Sequence, residues 1–262
     1  MCRLLGYLGP TIILDYILSK PEHSLIVQSY EPKEMTSGVV NADGFGVGWY
    51  HSQRETDPFI YKNTLPIWGD VNLTNLNRYI ESKCILANVR SATAGQSVDL
   101  SNCQPFHQKG LLFTHNGFIQ NFRKTLYRPI RNQLKDEAYQ AIEGSTDSEH
   151  IFALLINQFL TEPNISLTQA LQNTLHILAE LAQQHQTNFS ANIIVTDGRR
   201  LVASRFANKS PAPSLYWLRD DPTFSNAVIV ASEPLFAADW MGISENSIIS
   251  VEENLDIEVL SL

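Results

Sequence analysis

Hydrophobic and polar positions along the 262-residue chain fall into three successive patterns. The first third carries short apolar runs separated by polar turns. RLLGYLG at 3–9 alternates small and large residues and predicts a strand. TIILDYILS at 11–19 spaces its apolar residues as a helix does. GFGVGWYH at 44–51, CILANVRSA at 84–92 and GLLFTHNGFIQNF at 110–122 predict further strands, with a looser stretch running to about Asp70.

The middle of the chain is helical. DSEHIFALLINQFL at 147–160 puts Ile151, Leu154 and Leu155 on one apolar face, and Thr146 with Glu149 has capping-box spacing. SLTQALQNTLHILAELAQQH at 166–185 repeats its apolar residues at 167, 170, 171, 175, 178 and 181, with Ser166 and Gln169 as a second capping box. The last third returns to strands: ANIIVTDG, RLVASRF, SLYWLR, AVIVASEP, SIISVEE and IEVLSL. The first two predict a hairpin around Asp197 and Gly198, and KSPAPS at 209–214 reads as another hairpin loop. Strands, two helices, then strands is not the alternation of a doubly wound fold. It predicts an α+β protein with antiparallel sheets and helices packed outside them. No composition break divides the chain, so 1–262 reads as a single domain.

Composition narrows the function classes. The chain is 44% hydrophobic and 18% charged, with a net charge of -8. An acidic surface repels phosphate backbones, which argues against nucleic acid as a partner. No apolar run reaches the ~18–20 residues of a membrane span, and the Gly-broken N-terminus does not read as a secretory signal. Three widely spaced cysteines form neither a disulfide framework nor a CxxC pair, which predicts a reducing cytoplasm. The seven histidines lack metal-ligand spacing, and the glycines at 44, 46 and 48 match no nucleotide loop.

Several residues carry both a bland and a chemical reading. Cys2 is a small buried hydrophobe on the first. On the second, loss of Met1 leaves an α-amine with a pKa of roughly 7.7–8.0 beside a thiol near 8.5, so one residue supplies nucleophile and base. Asn116 and Gly117, in HNG, spell a hairpin turn. They also offer an amide NH₂ and an unobstructed backbone N–H, two donors suited to an oxyanion. Arg90 at the end of an apolar strand needs an anionic partner, either a structural carboxylate or that of a substrate, with Thr93 adding a hydroxyl. Asp147 complements a helix dipole, or receives a substrate ammonium. On their chemical readings these residues suit one substrate, a γ-glutamyl amide. Arg90 and Asp147 grip its α-carboxylate and α-ammonium, and its γ-carbonyl lies before Cys2.

Cys2, VRSAT, HNG and STDSE, in that order, resemble the class II (N-terminal nucleophile) glutamine amidotransferases. The resemblance implies a four-layer αββα sandwich with no metal or organic cofactor. It implies Cys2 as nucleophile, Asn116 and Gly117 as oxyanion hole, Arg90 and Thr93 on the substrate carboxylate, and Asp147 on its amine. MCRLLGYLGP, IVQSYEPKEM, NADGFGVGWY, LPIWGD, VRSATAG, CQPF, LLFTHNGFI and VASEP are similar, across nearly the whole chain, to the EgtC-type amidohydrolases of ergothioneine biosynthesis. That likeness implies release of glutamate from γ-glutamyl-hercynylcysteine sulfoxide. A chain ending at Leu262 lacks room for the ammonia-accepting domain of the larger relatives, so water is the expected acceptor. A glutaminase subunit feeding a partner and a γ-glutamyl hydrolase of thiol turnover are the alternatives. The expected partner is a small γ-glutamyl molecule, not nucleic acid or membrane, with room for a homo-oligomer. Trp68, Phe45, Trp49 and the 96–108 loop are the candidates for the leaving-group wall.

Overall fold

The structure, a computed structural model, describes residues 1–35, 38–51, 57–93, 95–209 and 211–262. Ala94 of VRSATAG and Ser210 of KSPAPS therefore lie outside the described residues. Thirteen strands among the described residues make two antiparallel sheets. One contains β1 (Arg3–Ile13), β2 (Phe45–Trp49), β3 (Phe59–Asn63) and β4 (Glu81–Val89). The other contains β5 (Phe106–Gln108), β6 (Leu111–Ile119), β7 (Phe189–Thr196) and β8 (Leu201–Arg205). The chain then crosses back to the first sheet for β9 (Tyr216–Asp221), β10 (Phe224–Ala231) and β11 (Met241–Gly242). It ends in the second with β12 (Ser247–Val251) and β13 (Ile257–Ser261). The spatial orders are β11-β9-β10-β1-β4-β2-β3 and β13-β12-β8-β7-β6-β5.

Strand periodicity builds the layers. In β1, Leu4 and Leu8 point toward the second sheet, where they meet Leu112, Ile194, Leu201 and Ile249. Gly6 shares that face, and a Cβ there would touch Leu201 at 3.0 Å, so the missing side chain lets the sheets approach. Leu5 and Tyr7 point the opposite way, onto α1 (Asp15–Leu18), α2 (Leu25–Tyr30) and α3 (Leu73–Leu76) through Ile17, Leu18, Leu25 and Leu73. On the far side of the second sheet lie α4 (Tyr127–Gln133), α5 (Asp136–Gln140), α6 (Asp147–Thr161) and α7 (Leu167–Gln184). Phe113, Ile193, Val195 and Val202 pack there against Leu155, Leu171 and Leu178. The result is the four-layer αββα sandwich.

Four local expectations change. TIILDYILS is not one helix: Thr11–Ile13 continue β1 beyond an irregularity after Leu8, pairing Ile12 with Ser82, and only Asp15–Leu18 turns helical. Two β-branched isoleucines beside an available partner strand favour the ladder. HNG is not a turn: Asn116 pairs with Asn192 and Gly117 with Ala191 inside an unbroken β6. KSPAPS is not a hairpin loop: β8 and β9 belong to different sheets, so the segment is a crossover. The looser stretch before Asp70 contains β3, a short edge strand whose Phe59, Ile60 and Tyr61 run together and so show no alternation. The capping boxes are half made. Thr146 and Ser166 accept from the backbone N–H of Glu149 and Gln169. The Glu149 carboxylate instead accepts from Glu143 and Gly144 N–H, and burial raises its pKa.

Candidate active site

Four element ends meet at one place: the start of β1, the end of β4, the end of β6 and the start of α6. They border a cavity of about 750 Å³. Cys2, Thr93, Gly117 and Asp147 all line it. These four, scattered over the sequence, are brought together by the two sheets. Arg90 and Asn116 are not among the lining residues.

Cys2 directly precedes β1, with its sulfur 4.0 Å from the Ser91 carbonyl oxygen. Its backbone is pinned from both sides. Arg3 Nη1 donates to the Cys2 carbonyl at 3.2 Å, and Asn41 Nδ2 donates to the Met1 carbonyl at 2.6 Å. Arg3 is wholly buried and pairs with Glu233 at 3.0 Å. Glu233 also accepts from His23 Nε2 and from the backbone N–H of Lys33 and Glu34. Burial alone would raise the Glu233 pKa, but these hydrogen bonds and the Arg3 charge outweigh it and hold the carboxyl below its ordinary value. Burial pushes the α-amine of Met1 below its ordinary value.

The Arg90 guanidinium, 3% exposed, donates to neutral oxygens: Asp43 O at 3.2 Å, Gln96 Oε1 at 3.4 Å and Ser97 O at 3.3 Å. Among the described residues no carboxylate lies within ion-pair distance of it. It fastens the 96–97 segment over the end of β4, and Gln96 itself reaches the cavity. A buried cation with only neutral acceptors is a site of positive potential.

Asn116 is fully buried on the face of β6 that looks toward the first sheet, and neither its Nδ2 nor its Oδ1 has a protein partner. An unpartnered buried amide costs about 1–3 kcal/mol and remains an available donor. Gly117 follows on the opposite face. A Cβ there would collide with the Ser190 carbonyl and with His115 Nε2, so glycine is the residue this ladder admits.

Asp147 opens α6. Its Oδ2 accepts from Ile119 N–H at 2.8 Å and its Oδ1 from Ser148 N–H at 2.9 Å. Lone pairs remain for a cation in the cavity. Sequence reasoning passed over the brace behind it. His115 Nε2 faces the Ser190 carbonyl at 3.1 Å, and Nδ1 faces Ser148 Oγ at 2.8 Å. A carbonyl can only accept, so Nε2 carries the proton and Nδ1 accepts from Ser148. Burial lowers the His115 pKa and keeps the ring neutral. The neutral ring locks β6 to the first turn of α6.

The aromatic candidates for the leaving-group wall do not line the cavity. Trp68 is on the surface at 45% exposure with its ring 5.8 Å from that of Tyr30; Phe45 is core; Trp49 stacks near Phe59. Of the 96–108 loop, Gln96 lines the cavity, and Phe118, Gln120, Phe122, Arg123 and Lys124, which follow HNG in sequence, line it as well. Continuity with HNG was the signal available in the sequence.

This arrangement places a thiol, a carboxylate and a glycine N–H around one cavity, the constellation of an acyl-transfer centre. The chain belongs to the class II glutamine amidotransferases, whose family model it matches over residues 17–233. It is an enzyme of the amidohydrolase kind. A probable glutamine amidotransferase of Saccharomyces cerevisiae is 30% identical, over 97% of this chain and 82% of that one. A gamma-glutamyl-hercynylcysteine sulfoxide hydrolase of Mycolicibacterium smegmatis is also 30% identical, over 97% and 96%. Among solved structures, a glutamine aminotransferase class-II domain protein from Silicibacter pomeroyi superposes with TM-score 0.71 at 22% identity, covering 100% of this chain and 99% of that one. The allosteric regulatory enzyme of purine biosynthesis superposes with TM-score 0.67 at 16% identity, over 99% of this chain and 49% of that one. The fold is the αββα sandwich of the N-terminal nucleophile hydrolases. Among the described residues, no group of His, Cys, Asp or Glu could hold a metal ion, and no helix is long and apolar enough to cross a membrane.

Proposed function

We propose that the chain, after loss of Met1, acts as one catalytic unit that hydrolyses a γ-glutamyl amide through a thioester on Cys2. The observation that carries this reading is the single cavity shared by Cys2, Thr93, Gly117 and Asp147. The α-amine of Cys2, working through a water, takes the thiol proton. Sulfur attacks the γ-carbonyl carbon, and Asn116 Nδ2 and Gly117 N–H hold the oxyanion. The C–N bond breaks as the amine leaves protonated. Water then cleaves the thioester and releases glutamate. Arg90, with no carboxylate of its own, and Thr93 hold the substrate α-carboxylate, and Asp147 holds the α-ammonium.

The substrate we propose is γ-glutamyl-hercynylcysteine sulfoxide, acted on in the cytoplasm during ergothioneine biosynthesis. Support comes from the relative of that name, which matches this chain nearly end to end. The yeast relative of equal identity, a probable glutamine amidotransferase, favours a second reading in which glutamine is the substrate. Incubating the Met-free protein with the sulfoxide, with glutamine and with glutathione, and measuring released glutamate, separates them. Strong preference for the sulfoxide supports the first reading. Equal or faster turnover of glutamine or glutathione overturns the substrate while keeping the chemistry.

A further inference from the structure

The wall beyond the proposed oxyanion donors has a charge pattern of its own. Six residues after Gly117 the chain reaches Arg123 and Lys124, which line the cavity and are exposed. Their backbone is held in a hydrogen-bonded turn. Asn121 sits in the left-handed region at φ 52°, and its carbonyl accepts from Lys124 and Thr125 N–H. The Phe122 carbonyl accepts from Thr125, Leu126 and Tyr127 N–H. The Phe122 ring, 8% exposed, packs edge-on to His150 at 5.0 Å and to Tyr127 at 5.5 Å. An anchored aromatic thus fixes the two cations after it at the cavity mouth.

Neither cation has a side-chain hydrogen bond or ion pair among the described residues. A neighbouring cleft of about 500 Å³ shares both and adds Arg128 and His185. Among the described residues, Asp147 is the one carboxylate lining either space, and both its oxygens already accept backbone N–H groups. In a chain of net charge -8, this is a local excess of positive charge in the cavity that Cys2 lines.

We propose that Arg123 and Lys124 form a leaving-group subsite for an anion, so that the enzyme selects γ-glutamyl compounds whose amine half bears a carboxylate over glutamine, whose leaving group is ammonia. The proposal rests on the γ-glutamyl hydrolase reading above. Asp147 takes the substrate's ammonium, and the unpaired cations across the mouth take the negative end of the leaving group.

The test compares γ-glutamylglycine with γ-glutamylethylamide, which share the acyl half and differ by a carboxylate against a methyl. Glutamate release gives kcat/KM for each. The wild type is expected to prefer γ-glutamylglycine by about three- to tenfold, the range two exposed charge pairs supply. In Arg123→Gln/Lys124→Gln that ratio falls toward one, the loss falling on γ-glutamylglycine. Added salt at 0.5 M, on the order of a 4 Å Debye length, narrows the wild-type preference without any substitution. A wild-type ratio near one, or one insensitive to salt or to the double substitution, overturns the subsite while the hydrolase reading stands. If neither compound releases glutamate while γ-glutamyl-hercynylcysteine sulfoxide does, the subsite is overturned and the hydrolase reading stands; if none of the three does, both fall.

Discussion

Asn116 and Arg90 are both buried side chains whose hydrogen-bonding capacity the protein does not use up with charge-matched partners. In the proposed mechanism each spends that capacity at a different moment. Asn116 acts when negative charge appears on the γ-oxygen, so Asn116→Ala is expected to lower kcat about 10²- to 10³-fold with KM little changed. Steady-state glutamate release checks this, and an unaltered kcat would remove Asn116 from the oxyanion hole. Arg90 acts on the bound ground state, so Arg90→Lys should raise KM, because an ammonium cannot reproduce the planar fork. A parent-like KM would leave Arg90 as a structural clasp on Gln96 and Ser97. At this scale the sequence was informative in residue type and weak in geometry. HNG carries the two proposed donors, but their place inside an unbroken strand needed the register with β7.

The first turn of α6 is where an element's own stability meets the site. Thr146 caps it through Oγ1, and Asp147 follows at once. Thr146→Ala is expected to cost about 1 kcal/mol and to raise KM through a looser Asp147; thermal melts and kinetics read the two effects separately. One turn on, His150 Nε2 accepts from Arg131 Nε at 2.9 Å, and Nδ1 donates to the Thr146 carbonyl at 2.7 Å. Burial, with Arg131 beside it, lowers the His150 pKa to about 4. The folded pKa lies below the unfolded value of roughly 6.5, so this contribution is present above pH ~6.5 and is lost as pH falls toward 4. His115, also depressed, adds in the same direction. Urea midpoints should therefore decline across that window, and His150→Gln should flatten the decline. The helix itself and its cap were legible, because periodicity and capping are local. His150 as the tie to α4 was not, since its partner lies 19 residues away.

On the scale of the molecule, Glu233 joins the end of β10 to Arg3, His23 and the 33–34 backbone. Glu233→Ala would strand a fully buried guanidinium, at a cost of about 3–5 kcal/mol, which lowers Tm by on the order of 10 °C. Scanning calorimetry measures it; a shift under a few degrees would mean that the Arg3 end of β1 is held by pairing alone. Most of the strands and the helix pair were readable from alternation and from the 3.6-residue spacing, because each strand and helix buries one face or stripe. The crossover at 209–214, the β3 edge and the path of residues 11–18 were not, because pairing partners far along the chain decide them. The same division holds for function. Residue chemistry by itself determined that a thiol, a carboxylate, a guanidinium and paired amide donors were available, and what substrate they suit. Only the tertiary structure decided that Phe118, Phe122, Arg123 and Lys124, rather than Trp68 or Trp49, wall the cavity. Which residues face one another across a space depends on sheet register and the packing of layers, and neither is written in any local stretch of sequence.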